Sequence, residues 1–206
     1  MARFRRAFIE ITNRCNLSCS FCARSTRPPR DMTVKEFRAV AAQVKPLAAG
    51  VFLHVLGEPM LHPEFPAILS AASGMGLKVT MVTNGTLIDR FGPDIFREPC
   101  LAQVSPSLQA LSALPPEKWE EALGKLAAFA RSRPPGLTVV FRLRGADDTF
   151  SLTVRSALLE AFPGYAPDPG KRRLKLAERV YFAGGGLFSW PGTGPGTGKH
   201  RCLGLR

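Results

Sequence analysis

Apolar positions along this chain alternate between a strand-like and a helix-like rhythm. Residues 7–11 form a short apolar run broken only by Glu10, which predicts a strand delivering the chain to a polar loop. Thr33-Val34-Lys35-Glu36 offers a capping box, and Val34, Phe37, Val40, Ala41, Val44 and Leu47 then recur at helical spacing. Residues 51–55 predict a buried strand, 63–74 a short helix with Phe65, Ile68, Leu69 and Ala72 inward, and 78–82 the next strand. A weaker helical stretch at 89–97 leads to a strand at 101–108, and 116–131 predicts a helix that buries Trp119, Leu123, Leu126 and Ala130. Two more strands are expected at 138–143 and 180–182, separated by a helical pattern through Leu152, Leu158 and Leu159.

Repeated strand-helix units imply parallel strands with helices outside, in an open sheet or a barrel. A full eight-unit barrel typically needs about 250 residues. With six units in 206 residues, a partial (β/α)6 barrel is the better fit, an α/β fold with a mainly parallel sheet and outer helices. The core domain is expected over residues 1–183. Residues 184–206 are rich in glycine and proline and read as a linker-like tail. Its position at the end of the sequence suggests the remnant of a connection to a further extension.

Composition narrows the class. The 28 Lys and Arg against 16 Asp and Glu give a formal charge of +12, which favours anionic partners. The basic residues are spread along the chain without the pattern of a nucleic-acid module, so nucleic acid is not the expected partner. Five cysteines form no even disulfide framework, and the apolar stretch behind the basic N-terminus is too short for a signal peptide. No apolar run is long enough to span a membrane. A soluble, cytoplasmic protein is expected.

Three of the cysteines carry the chemistry. Cys15, Cys19 and Cys22 place three thiolates within one short loop. A structural zinc site closes its tetrahedron with four protein ligands, usually supplied in pairs, and no fourth cysteine or histidine lies nearby. Three soft thiolates suit an iron-sulfur cubane that keeps one iron open to an outside ligand. A structural metal site and three buried thiols are the competing readings. Arg14, Arg24, Arg27 and Arg30 gather beside the cysteines, where they would offset the charge of a cluster or form a solvated loop.

The Cys-x-x-x-Cys-x-x-Cys spacing, with Phe21 before the last cysteine, resembles the signature of the radical S-adenosylmethionine (radical SAM) superfamily. The resemblance extends from about Ala7 to Phe182 and implies the same partial barrel. It also implies two cofactors: a 4Fe-4S cluster on Cys15, Cys19 and Cys22, and S-adenosyl-L-methionine (SAM) bound at its open iron. Gly57-Glu58-Pro59 resembles the family motif that holds the amino group of the methionine moiety, and Thr83-Asn84-Gly85 a turn facing the cofactor pocket. By the same resemblance, Ser105 lies near the ribose or carboxylate and Phe21 packs near the adenine, an ordinary core phenylalanine being the competing reading. Arg142 is the candidate to fork onto the methionine carboxylate. Arg144 lies two residues on from Arg142, and alternation alone does not choose which of the two faces the pocket.

The implied activity is reductive cleavage of SAM to a 5'-deoxyadenosyl radical that abstracts hydrogen from a substrate. A low-potential donor such as flavodoxin or ferredoxin would supply the electron. A half-open barrel leaves a side entrance for a large substrate, which agrees with a peptide. Cys202 resembles the first cysteine of the SPASM extension of some members, but the further cysteines are absent and it is treated as an unpaired thiol. His54 and His62 read as structural, and Cys100 as a buried free thiol. Two alternatives stand beside the enzyme: an inactive iron-sulfur-binding remnant, and a zinc-binding, nucleic-acid-associated module.

Overall fold

A computed structural model describes residues 3–23, 26–145, 148–164 and 173–185. Its centre is a seven-stranded sheet ordered β1-β2-β3-β4-β5-β7-β6. The strands are β1 (Ala7–Phe8), β2 (Val51–Phe52), β3 (Val79–Thr83), β4 (Leu101–Pro106), β5 (Thr138–Arg144), β6 (Leu174–Ala177) and β7 (Val180–Gly185). The first five strands and β7 run parallel, and only β6 pairs antiparallel, with β7. Six parallel strands in sequential order, left open between β1 and β6, form the expected partial barrel.

Four helices pack on one side: α1 (Val34–Val44), α2 (Phe65–Gly74), α3 (Trp119–Ser132) and α4 (Thr149–Glu160). The capping box at the start of α1 is made in full, with Thr33 Oγ1 accepting from Glu36 N and the Glu36 carboxylate accepting from Thr33 N. Phe37 and Ala41 are buried beneath α1, whereas Leu47 lies past its end and is 46% exposed. Phe65, Ile68, Leu69 and Ala72 of α2 are buried, as are Leu123, Leu126 and Ala130 of α3. Trp119, at the start of α3, is only half-buried; its indole N–H donates to Leu114 O.

Strand alternation decides where the core sits. Ile9, Val51, Leu53, Val79, Met81, Val104, Val139, Phe141, Val180 and Phe182 all face the helices and are buried. The residues between them face the concave side. Among the described residues, no helix is long and apolar enough to cross a membrane.

Four details differ from the sequence expectation. β4 stops at Pro106 and the apolar run continues as a 3-10 helix, Leu108–Ala113, while the weak helix before β4 is also 3-10, Pro93–Arg97. The antiparallel β6 was not expected. β7 runs on through Gly184 and Gly185, which pair with Leu143 and Arg144 of β5. The remainder of the tail from residue 186, with Cys202, lies outside the described residues, as does Arg24.

Candidate active site

In parallel sheets of this kind, ligands collect at the carboxyl ends of the strands. Here the loops leaving β1, β2 and β3 are tied to one another. Gly57, after β2, lies so close to the loop after β1 that a Cβ on it would fall 2.0 Å from Thr12 O and 2.9 Å from Arg14 O. Both neighbours are backbone atoms, so only glycine fits without moving the base of the cysteine loop. Glu58 N then donates to Arg14 O at 2.8 Å.

The Glu58 side chain completes the tie. It is 2% exposed, and its carboxylate accepts from Thr83 Oγ1 at 2.7 Å, Asn84 N at 2.7 Å and Met60 N at 3.0 Å. Burial raises its pKa above the ordinary carboxylate range, and the three donors pull the other way. Glu58 therefore joins the turn after β3 to its own loop, and its carboxylate oxygens are occupied by internal donors. Gly85 closes that turn at φ 83°, a left-handed conformation suited to glycine, with its α-carbon against Leu126.

Asn84 reaches from this turn to the cysteine loop. Its amide donates to Asn16 Oδ1 at 2.9 Å and approaches Cys15 Sγ at 3.8 Å, while its carbonyl accepts from Thr86 N and Thr86 Oγ1. Asn16 in turn donates to Thr86 Oγ1 at 2.8 Å. At the base of the loop, Thr12 Oγ1 donates to Asp31, Arg14 pairs with Asp31 at 3.1 Å, and Asn13 accepts from Arg30 N at 2.7 Å.

Cys15, Cys19 and Cys22 are all free thiols on this loop, the first exposed and the others half-buried. Burial, reinforced by the charges of Cys15 and Cys22, pushes Cys19 up to about 11, and Cys22 is raised by burial and by Cys15. The thiols thus lie within electrostatic reach of one another, and Cys19 and Cys22 stay protonated at neutral pH until a metal displaces the protons. Three thiols on one loop match the donor set of a cubane, which takes each thiolate on a different iron. Among the described residues no three His, Cys, Asp or Glu side chains converge as ligands of a single ion. Phe21 sits half-buried in the same loop.

The arginines near the cysteines are engaged elsewhere. Arg27 pairs with Glu10 and Arg30 with Glu36, in addition to the Arg14–Asp31 pair. The concave side of the sheet collects a different set. A cavity of about 550 Å³ there is lined by Ser105 and Gln103 of β4, by both Arg142 and Arg144 of β5, and by Arg6 and Arg173. Gln103 donates to Ser105 Oγ at 2.7 Å. Both β5 arginines therefore share the pocket face, and Arg6 and Arg173 join them from segments that the sequence reading had not singled out.

His54 packs edge-on against Phe8 and tilted against Phe52, with ring centroids at 5.6 and 5.8 Å. Its Nδ1 is buried without a partner, and burial together with the Arg142 charge lowers its pKa to about 4. His62 is satisfied at both nitrogens, with Nδ1 accepting from Glu64 N and Nε2 bonded to Met32 O. Cys100 is a buried free thiol directed at Leu69 O, far along the chain from the cysteine loop.

A family model described as the radical SAM superfamily matches residues 9–142. The chain belongs to that superfamily. The matched stretch holds the cysteine loop, the Gly-Glu-Pro and Thr-Asn-Gly turns, Ser105 and Arg142, and radical SAM proteins as a superfamily use a 4Fe-4S cluster and SAM. The "PqqA peptide cyclase" of Gluconobacter oxydans is 25% identical over 182 residues, 85% of this chain and 49% of that protein. The "Fe-coproporphyrin III synthase" of Methanosarcina barkeri is 30% identical over 104 residues, 49% of this chain and 26% of that protein. The chain thus spans half or less of the length of these two radical SAM relatives.

Among solved structures, Streptococcus suis SuiB bound to S-adenosylmethionine superimposes with a TM-score of 0.62, at 16% identity, over 92% of this chain and 42% of SuiB. SuiB bound to its precursor peptide SuiA gives 0.59 at 17% identity, over 77% of this chain and 38% of SuiB. At such identity the likeness establishes the radical SAM barrel fold.

Proposed function

We propose that this chain is a radical SAM enzyme acting on a peptide. The observation that carries the reading is the three-thiol loop at the end of β1, bound through Gly57, Glu58 and Asn84 to the turns after β2 and β3. A bound, reduced cluster would supply one electron to SAM, which would give methionine and a 5'-deoxyadenosyl radical able to take a hydrogen atom from the substrate.

The protein's own contribution is positioning. Cys15, Cys19 and Cys22 would hold the cluster as thiolates. The carboxylate of Glu58, fully occupied by Thr83, Asn84 and Met60, fixes the backbone of the Gly57–Pro59 turn, whose carbonyls receive the methionine ammonium. Arg142 offers a planar guanidinium to the methionine carboxylate, with Ser105 beside it. Phe21 packs against the adenine. The apolar core behind the strands keeps these groups in place while the open side admits substrate. A flavodoxin or ferredoxin serves as electron donor.

The peptide assignment draws support from the names of the PqqA peptide cyclase and of SuiB with its precursor peptide. The test is anaerobic reconstitution of the full chain with iron and sulfide, reduction, addition of SAM and assay for 5'-deoxyadenosine, alongside a Cys15, Cys19, Cys22 triple alanine variant. Product that disappears in the variant is expected. A cluster without product would leave an iron-sulfur-binding chain without catalysis, and no cluster at all would overturn the reading.

A further inference from the structure

The concave cavity is more basic than SAM requires. Four guanidinium groups line it: Arg142 and Arg144 from β5, Arg6 at the start of β1 and Arg173 just before β6. β1 and β6 are opposite edges of the open sheet, so the two halves of the barrel both point positive charge into one space. Among the described residues, none that lines it is acidic, and none of the four arginines makes a salt bridge.

Like charges held together without counter-charge are costly. Burial, and then Arg144, Arg6 and Arg173 in turn, lower the proton affinity of Arg142. The cysteine loop does not relieve this. The charges acting on Cys19 are those of Cys15 and Cys22, so the thiol group and the arginine group are separate electrostatic clusters. SAM does not relieve it either, since its single carboxylate is accompanied by an ammonium and a sulfonium. If Arg142 takes that carboxylate, three arginines still face the cavity.

The cavity is also shaped around them. The Arg144 guanidinium lies where a Cβ on Gly185 would be, 2.4 Å from Nη1. Arg6, which also lines the cavity, lies over the ring of Phe52 at 5.4 Å.

We propose that Arg144, Arg173 and Arg6 form the substrate-recognition site, and that the substrate carries at least two anionic oxygen groups, carboxylate or phosphate, which these arginines hold in the concave cavity. A guanidinium presents paired N–H donors that match carboxylate and phosphate oxygens alike. That the anion belongs to the substrate rests on the radical SAM reading above; that the cavity binds an anion does not.

The experiment is calorimetric titration of the full chain at low ionic strength, without cluster or SAM, using three probes. These are tricarballylate, pyrophosphate and a glutamate-rich heptapeptide. Binding near one equivalent is expected for at least one probe, weakened about tenfold by Arg144→Gln and again by Arg173→Gln, each a loss of one charge-assisted pair. Arg155→Gln, which removes the same charge from the exposed outer side of α4, is expected to bind as the parent does. Tighter binding of tricarballylate and the peptide assigns carboxylates, and tighter binding of pyrophosphate assigns phosphate. No binding by the parent overturns the proposal. So does equal weakening by Arg155→Gln, which would mean that overall charge alone attracts the probes. A chain that binds the probes but fails to cleave SAM keeps this site and loses the radical reading.

Discussion

The two faces of the sheet use the same strands for opposite ends. Toward the helices, β5 presents Val139, Phe141 and Leu143, all buried; toward the cavity, the alternating positions present Val140, Arg142 and Arg144. β2 repeats the pattern, with Val51 and Leu53 in the core and Phe52 and His54 on the concave side. β1 pairs a buried Ile9 with Phe8, which is 56% exposed. One face excludes water and supplies stability by burial. The other stays open, polar and charged, which a fully packed barrel interior would not permit. The packed core and the charged cavity are thereby separated by a single residue step along each strand.

Neighbouring substitutions on β5 give the largest contrast. Phe141→Ala removes a fully buried ring and is expected to cost about 3–5 kcal/mol in urea unfolding. Arg142→Gln, one residue on, should leave unfolding within about 1 kcal/mol and weaken SAM binding instead. If the two variants unfold alike, the two faces are not energetically distinct.

His54 sharpens the comparison from the concave side. Its folded pKa of about 4 lies below the ordinary 6.5, first through burial and then through Arg142. The folded protein therefore holds fewer protons on this ring than the unfolded chain. Its effect is absent above about pH 6.5, and stability falls as pH drops from there toward 4, by about 3 kcal/mol in all. His54→Phe keeps a ring and removes the titration. Urea midpoints measured across that window should flatten in the variant, and an unchanged slope would place the acid sensitivity elsewhere.

A smaller effect is expected where the faces meet the loops. Gly57→Ala forces a methyl into the backbone at Thr12 and should cost about 1–3 kcal/mol. Its more telling readout is iron retained after reconstitution, which should fall because the cysteine loop has shifted. Iron retention equal to that of the parent would show that the loop tolerates the displacement.

The sequence announced the strands and helices that repeat a clean period, and the cysteine loop and turns whose residue types carry local chemistry. It did not announce β6, where Leu174 and Leu176 alternate for only four residues behind a run of basic ones. It also hid the 3-10 helix at Leu108–Ala113, whose apolar residues extend the run of β4 without a break. Charge was misleading at close range and silent at long range. Arg14, Arg27 and Arg30 adjoin the cysteines in sequence, yet fold onto Asp31, Glu10 and Glu36. Arg6, Arg142, Arg144 and Arg173 come from three distant segments, and only the curvature of the sheet assembles them.

β1 contributes two paired residues at an edge of the sheet, with β2 as its one neighbour. An edge strand that short opens at a lower free energy than the middle strands, and what holds the cysteine loop shut is its bonding to the neighbouring loops, Arg14 O to Glu58 N and Asn16 to Asn84. Metal arriving at that loop would add a further clasp. The binding energy of the cluster would then appear as slower hydrogen exchange along this one edge, and the order of maturation would be barrel first, metal second.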